Sequence, residues 1–448
     1  MTSSSTKPPS GTRDFLPGDI RRREYVMGVV RAVYERYGFE PLETPAFENI
    51  ETLLGKYGEE GNKLIFKILK RGEYEASGEA DLALRYDLTV PLARVVAQYQ
   101  SELPKFFKRY QMQPVWRADR PARGRFREFY QCDVDAIGST SPAVEVEQMA
   151  AVSDVLTKLG FQDFVIDLNH RLVLRALLNN AGIEPRQHGE TLVALDKIDK
   201  IGREGVEKEL AARGIPAAAG TKLLSWIGAA WEADWLDWLE RQFTVVDEAE
   251  KAGFQNVRDI LKLAEKTAAG DKVRFEPSLA RGLSYYTGAI MEMSVPDLAG
   301  SLGGGGRYDN LIGMFLGREV PACGFSLGLE RIIVVMTERN MFPASVAGGN
   351  ADVMVTLWNG EAAGDALALA GELRRDGLRV DVYPEADKLG KQFKYASSRN
   401  VPFVAILGDD ERANGTVSVK DLRSGTQETV PRAETAAFVA ARVNPRTS

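Results

Sequence analysis

Five arginines fall between Trp116 and Phe129, in the run Trp-Arg-Ala-Asp-Arg-Pro-Ala-Arg-Gly-Arg-Phe-Arg-Glu-Phe. A guanidinium is a planar fork of N–H donors that fits phosphate oxygens, often two at a time. Held on rigid strands, such groups can grip a triphosphate and the end of a nucleic acid, and Phe129 offers a ring that can stack on a base. Taken alone, the run reads equally well as a charged, solvated hairpin tip. A second segment, Gly324-Phe-Ser-Leu-Gly-Leu-Glu-Arg331, carries a glycine-rich strand straight into a helix, with Arg331 on the first turn. Glycine there lets a backbone approach a ligand closely; ordinary strand–helix packing is the competing reading. Only two histidines, His170 and His188, are present. Paired-histidine metal motifs are therefore excluded, and a histidine base is a weak prospect. Cys132 and Cys323 lie far apart in sequence and make a poor zinc site, so both read as small buried residues. The chemistry must rest on arginine, carboxylates, amides and hydroxyls.

Several elements must position these groups. Apolar residues recur at helical spacing from Asp19 to Tyr37, after the breaker Pro17-Gly18, with Asp19 as the expected N-cap. Extended chain follows from Phe39 to Pro45. Leu64–Leu69 and Leu82–Tyr86 read as a hairpin, and Pro91–Tyr99 as a helix. Phe106–Trp116 and Phe126–Ile137 read as strands joined by the basic loop. Pro142–Leu159 reads as an amphipathic helix and Val165–Leu168 as a strand. From Leu172 to Ala268 the composition turns helical, with an inserted subdomain near residues 190–262. Strand character returns between Val273 and Met293. After a linker at Ala347–Asn350, strands and helices alternate, which predicts a parallel sheet flanked by helices.

The chain has 448 residues, too many for one core. The expected division is a tail at 1–10 without fixed structure, a catalytic domain at 11–345 and an α/β domain at 351–448. Net charge is −6, against a non-specific nucleic-acid coat. Locally the balance reverses: Lys105 to Arg127 holds eight Lys or Arg and one Asp. No apolar run is long enough to span a bilayer, and the polar start lacks a signal-peptide core. A cytoplasmic protein with no membrane partner is expected.

The arginine run resembles motif 2 of the class II aminoacyl-tRNA synthetases, and Gly328-Leu-Glu-Arg331 resembles motif 3. The helix leading to Pro45 is similar to motif 1, that family's dimer-forming element. Leu279-Ala-Arg-Gly-Leu-Ser-Tyr-Tyr-Thr-Gly288 and Gly304-Gly-Gly-Arg-Tyr-Asp309 resemble the two histidine-specific signatures. Arg85-Tyr-Asp-Leu-Thr89 and Phe129-Tyr-Gln-Cys-Asp-Val-Asp135 match the substrate loops of the histidyl-tRNA synthetase family. Ser284 stands where that family usually carries Asp. The likeness runs from about Gly11 past Val430.

The resemblance implies an α+β catalytic domain on a mixed, largely antiparallel sheet, a helical insertion and a C-terminal α/β anticodon-binding domain. It implies a homodimer that joins L-histidine to tRNA(His), with ATP as co-substrate and Mg²⁺ carried by the phosphates, not by a protein metal cage. Arg117, Arg281 and Gln131 are the implied catalytic groups. Arg117, Asp119, Phe129, Arg281 and Arg331 are the implied ATP contacts. The implied histidine contacts are Asp87, Leu88, Thr89 and Gln131 with Asp135, Tyr285, Tyr286 and Tyr308. Arg120, Arg123 and Arg125 are the implied tRNA contacts. Lys388, Lys391, Lys394 and Arg399 fall near one helical face that could meet the anticodon stem. Rival readings are the regulatory paralogue of an ATP phosphoribosyltransferase, another class II ligase for glycine, threonine or proline, and a non-catalytic tRNA-binding module.

Overall fold

The computed structural model describes residues 6–72, 77–227, 235–280, 285–347 and 349–443. The chain divides into two units, Met1–Met341 and Phe342–Ser448.

The first unit is organised by an eight-stranded sheet. Its strands are β1 (Glu40–Pro41), β5 (Phe107–Trp116), β6 (Glu128–Ile137), β7 (Val165–His170), β8 (Val273–Phe275), β9 (Ala289–Ser294), β10 (Gly303–Arg307) and β11 (Ala322–Gly328). Their order across the sheet is β1-β5-β6-β11-β10-β9-β7-β8. Only the outer pairs β1–β5 and β7–β8 are parallel, so the sheet is mixed and mostly antiparallel, as expected. A small antiparallel sheet, formed by β2 (Phe47–Asn49), β3 (Lys67–Leu69) and β4 (Ala80–Leu84), contains the expected hairpin.

Side chains alternate across the two faces of a strand. Along β6, Tyr130, Cys132 and Val134 face the helices, while Phe129, Gln131, Asp133 and Asp135 face the other way. On the helix side, helix Pro17–Arg36 packs on β6 and on helices Ala143–Lys158 and Leu329–Glu338. One buried ion pair fastens this layer: Arg23 Nη1 lies 2.7 Å from Glu330 Oε1. The other Glu330 oxygen accepts the Tyr130 N–H at 2.9 Å. Glu330 thus binds the N-terminal helix, strand β6 and the helix that begins after Gly328.

The first helix starts earlier than the spacing suggested. Pro17 occupies its first turn and Leu16 is the N-cap, so Asp19 is a first-turn acid that meets the helix dipole, not the cap. Helix Ala143–Lys158 is buried on most sides instead of along one stripe. Its polar residues bond inward: Gln148 donates to the Cys323 carbonyl at 2.7 Å, and Glu145 takes both ends of Arg307 at 2.7 and 2.9 Å. Both cysteines are free and buried.

His170 accepts the Leu172 N–H through Nδ1 at 3.1 Å and so caps helix Arg171–Ala181. Burial, with Arg307 nearby, pushes its pKa down to about 4 from the ordinary 6.5. The unfolded chain therefore binds more protons between those values, and stability must fall as pH drops through that window. His170→Asn keeps a capping acceptor and removes the titration. Between about pH 7 and pH 5 the variant should lose on the order of 1–2 kcal/mol less stability than the parent, read by urea unfolding. Equal losses would sink the argument.

The helical stretch is present as Arg171–Ala181, His188–Leu195, Ile198–Ala212, Ala217–Ile227, Trp235–Gln242 and Glu248–Ala264. The last of these packs on helices Ala143–Lys158 and Arg171–Ala181 and on β7 and β8. Of the expected tail, residues 1–5 lie outside the described residues. Its end is tied down: the Ser10 and Gly11 carbonyls accept from Arg127, at 3.3 and 2.8 Å.

The second unit has a five-stranded sheet of β12 (Val353–Val355), β13 (Val380–Val382), β14 (Phe403–Ile406), β15 (Thr416–Asp421) and β16 (Gln427–Pro431), ordered β13-β12-β14-β15-β16. The first three are parallel, with helices Ala363–Arg375 and Leu389–Ser398 between them. β14, β15 and β16 are antiparallel, so the expected all-parallel sheet is corrected to a mixed one. Val417 and Val419 point into the core while Gly425, at φ 80°, closes the β15–β16 turn.

Candidate active site

The face of β6 that carries Gln131, Asp133 and Asp135 opens on a cavity of about 920 Å³. Its floor is nearly bare backbone. Directly opposed residues share a face, and Asp135 pairs with Gly324, Asp133 with Ser326 and Gln131 with Gly328 on β11. On β10 the floor continues through Gly304, opposite Ser326, while Gly306, opposite Gly324, lies beneath the Tyr286 ring. The missing side chains are required by space. A Cβ on Gly324 would sit 2.0 Å from Asp135 Oδ1, and one on Gly306 would press the Tyr286 ring at 3.0 Å.

One end of the cavity is a nest of acids and phenols. Asp87 accepts from the Tyr57 hydroxyl at 3.0 Å, the Tyr285 hydroxyl at 3.2 Å and the Val90 N–H at 3.0 Å. The Thr89 hydroxyl also bonds Tyr285. Asp135 accepts from the Tyr308 hydroxyl, and its other oxygen lies 2.8 Å from Arg109 Nη2. Tyr285 meets Tyr286 and Tyr308 edge-on at 5.0 and 6.0 Å. Burial raises the pKa of Asp87 and Asp135, opposed by the guanidiniums of Arg117 and Arg109 respectively. The nest is thus buried, lined by carboxyls and walled by aromatic rings, which suits a small cation with a flat ring.

The other end is arginine-rich. Arg117 donates from Nε to the Tyr86 carbonyl at 3.0 Å and lies over the Tyr86 and Phe129 rings at 4.3 and 5.2 Å. Its two Nη groups are the donors left for a ligand. Arg331 is fixed by the Gly124 carbonyl at 3.3 Å and by the Ser301 carbonyl. Asp119 takes Arg125 at 2.9 Å. Arg123 pairs with Glu338 and donates to the Asp297 carbonyl at 3.2 Å. Both arginines line the cavity, as do Asp119, Phe129 and Arg331. Asp196 and Lys200, from the helical insertion, reach the same rim.

Not every expected residue takes its expected place. Leu88 is not in the cavity wall; its side chain is fully buried and its carbonyl accepts Arg109 at 3.2 Å. Arg120 is exposed and outside the lining. Arg281 and Ser284 lie outside the described residues. Conversely, Arg109, Asp133 and Ser326 belong to the site and were not singled out. Period-two spacing from Gln131 through Asp133 to Asp135 was the available signal for Asp133. Among the described residues, no group of three His, Cys, Asp or Glu could hold a metal ion.

Comparison with known proteins is consistent with this geometry. A family model for histidyl-tRNA synthetase matches residues 11–332, and one for an anticodon-binding domain matches residues 352–442. The histidine–tRNA ligase of Porphyromonas gingivalis is 41% identical over 454 residues, spanning 97% of this chain and 99% of the relative. That of Christiangramia forsetii is 40% identical over 440 residues, spanning 94% and 96%. Among solved structures, the histidyl-tRNA synthetase of Nostoc sp. PCC 7120 superposes with a TM-score of 0.81 at 31% identity, covering 98% of this chain and all of that one.

Proposed function

The chain belongs to the histidyl-tRNA synthetase family, and from that premise we propose how its cavity joins L-histidine to tRNA(His) in two steps. In the first, a histidine carboxylate oxygen attacks the α-phosphorus of ATP in line, the bond to the β-phosphate oxygen breaks, and pyrophosphate leaves. Such a step needs positioning and charge stabilisation, not a covalent protein group. Arg117 holds the α-phosphate, with Arg281 opposite it by motif alone. Arg331 meets the γ-phosphate and the adenine face, and Phe129 stacks on adenine. Asp119 holds Arg125 at the rim of the ATP end. Mg²⁺, bound with the nucleotide, would lower the charge on the phosphates.

Asp87, Thr89 and Gln131 take the substrate ammonium. Asp135 accepts one imidazole N–H and Tyr286 serves the other nitrogen, while Tyr285 and Tyr308 orient the two carboxylates. In the second step the terminal ribose hydroxyl oxygen attacks the carbonyl carbon of the adenylate, the bond from that carbon to the phosphate oxygen breaks and AMP leaves, with the phosphate as the acceptor of the hydroxyl proton and Gln131 positioning the substrate. Arg120, Arg123 and Arg125 guide the acceptor end, and the exposed Lys388, Lys391 and Lys394 meet the anticodon stem. A homodimer in the cytoplasm fits this reading; no described helix is long and apolar enough to cross a membrane. Phe47 and Leu69, on the small sheet, are 51% and 54% exposed and offer apolar surface for a second copy.

The observation that carries the proposal is the shared cavity: Asp135 and Tyr286 line the same space as Arg117 and Arg331. ATP–pyrophosphate exchange with each of the twenty amino acids tests it. Exchange with histidine alone is expected. Exchange with none would favour the regulatory paralogue.

A further inference from the structure

Two polar groups in the histidine end are left unmatched. Gln131 Oε1 and Asp133 Oδ1 are buried and have no hydrogen-bond partner among the described residues. Both residues face the cavity, and the protein joins them through a third. Gln131 donates from Nε2 to Ser326 Oγ at 2.8 Å, and the Ser326 hydroxyl lies close enough to the Asp133 carboxyl to favour its ionised form. Ser326 lies directly across from Asp133 on β11.

A serine hydroxyl has one proton. Given to the Asp133 carboxylate, that proton leaves Oγ able only to accept from the glutamine. The amide must then turn its NH₂ to Ser326 and its oxygen to the cavity. An amide that turned the other way would put two N–H donors against the substrate's ammonium, where nothing can accept them. We propose that Asp133 is a positioning residue that, through Ser326, holds the Gln131 amide with its oxygen toward the substrate ammonium. Burial, opposed by Arg109 and reinforced by Asp135, pushes the Asp133 pKa up to about 7, so the carboxylate takes the serine proton above that pH and the assays that test the relay are run at about pH 8. Arg109 is the nearest cation, but its Nη2 is taken by Asp135 and the Leu88 carbonyl and its Nη1 by Gln111, and no hydrogen bond joins it to Asp133.

The inference rests on histidine being the substrate. Its test compares histidine with imidazolepropionate, which is histidine without the α-amino group, in pyrophosphate exchange by the full-length protein. Asp133→Asn can donate its own NH₂ to Ser326, freeing the serine proton to turn toward Gln131 and reverse the amide. The KM for histidine should rise about tenfold or more, the size of one lost charge-assisted hydrogen bond. The KM for ATP and the inhibition constant of imidazolepropionate should stay within about twofold. Ser326→Ala should shift histidine in the same direction, and the double variant should behave as Ser326→Ala alone, since the link is then already cut. Equal losses for histidine and imidazolepropionate, or an unchanged histidine KM, would overturn the proposal. Effects that multiply would also overturn it, placing Asp133 against the substrate directly. If Asp133→Asn does not fold, Ser326→Ala decides: a preserved preference for histidine over imidazolepropionate refutes the relay. Absence of histidine-dependent exchange in the parent protein would instead refute the functional reading.

Discussion

Gly324→Ala is expected to reduce histidine-dependent pyrophosphate exchange by at least about a hundredfold while the protein still folds. The added methyl would lie 2.0 Å from Asp135 Oδ1 and 2.8 Å from its Cγ. No real contact is that short, so something must move. The β11 backbone is paired along its whole length with β6 and β10 and yields little. Asp135 must swing away instead. That breaks its bond from Tyr308 and its ion pair with Arg109, and removes the acceptor assigned to the imidazole. Misplacing a reacting group by about 1 Å is enough for a loss of roughly this size. ATP binding by Arg117 and Arg331 should survive, so the defect should appear in histidine dependence with normal nucleotide affinity. A variant with near-parental histidine KM would show that Asp135 does not hold the imidazole.

The second large effect concerns stability. Glu330→Ala strands Arg23, whose side chain is only 6% exposed, without its counter-ion. It also leaves the Tyr130 N–H without its acceptor. Breaking one partner of a buried pair typically costs about 3–5 kcal/mol, because the remaining charge is buried uncompensated. The melting temperature of the first unit should fall by several degrees, and Arg23→Ala should show a comparable loss. A Glu330→Ala melt within about one degree of the parent would mean that water or a side-chain shift relieves Arg23. Since Glu330 touches β6 at the residue between Phe129 and Gln131, activity should fail before the fold does on warming.

Much of this site was legible in residue order alone because its chemistry is local. The arginine run and the Gly328–Arg331 corner are each continuous in sequence, and each carries its function on an element whose periodicity is plain. What escaped was set by partners distant in the chain. Leu88 sits between two cavity residues, yet the start of helix Thr89–Gln98 turns it into the core. Arg109 reads as one more basic residue before the loop; only its register opposite Asp135 makes it part of the nest. Arg123 and Arg125 read as free phosphate donors, but Glu338 and Asp119 hold them. The β15–β16 hairpin was a lapse of a different kind. Thr416 to Asp421 alternates well enough to be read, and Gly425 marks its turn.

The glycine floor has a consequence for anything designed to block this cavity. A flat heteroaromatic inhibitor in this cavity would press on the Tyr286 ring and the Asp135 carboxylate, which themselves rest on Gly306 and Gly324. Resistance ordinarily arises when a side chain changes size beneath a drug. Here every such change at Gly306 or Gly324 intrudes on Tyr286 or Asp135 as well, so a mutation that expels the compound also expels the natural amino acid.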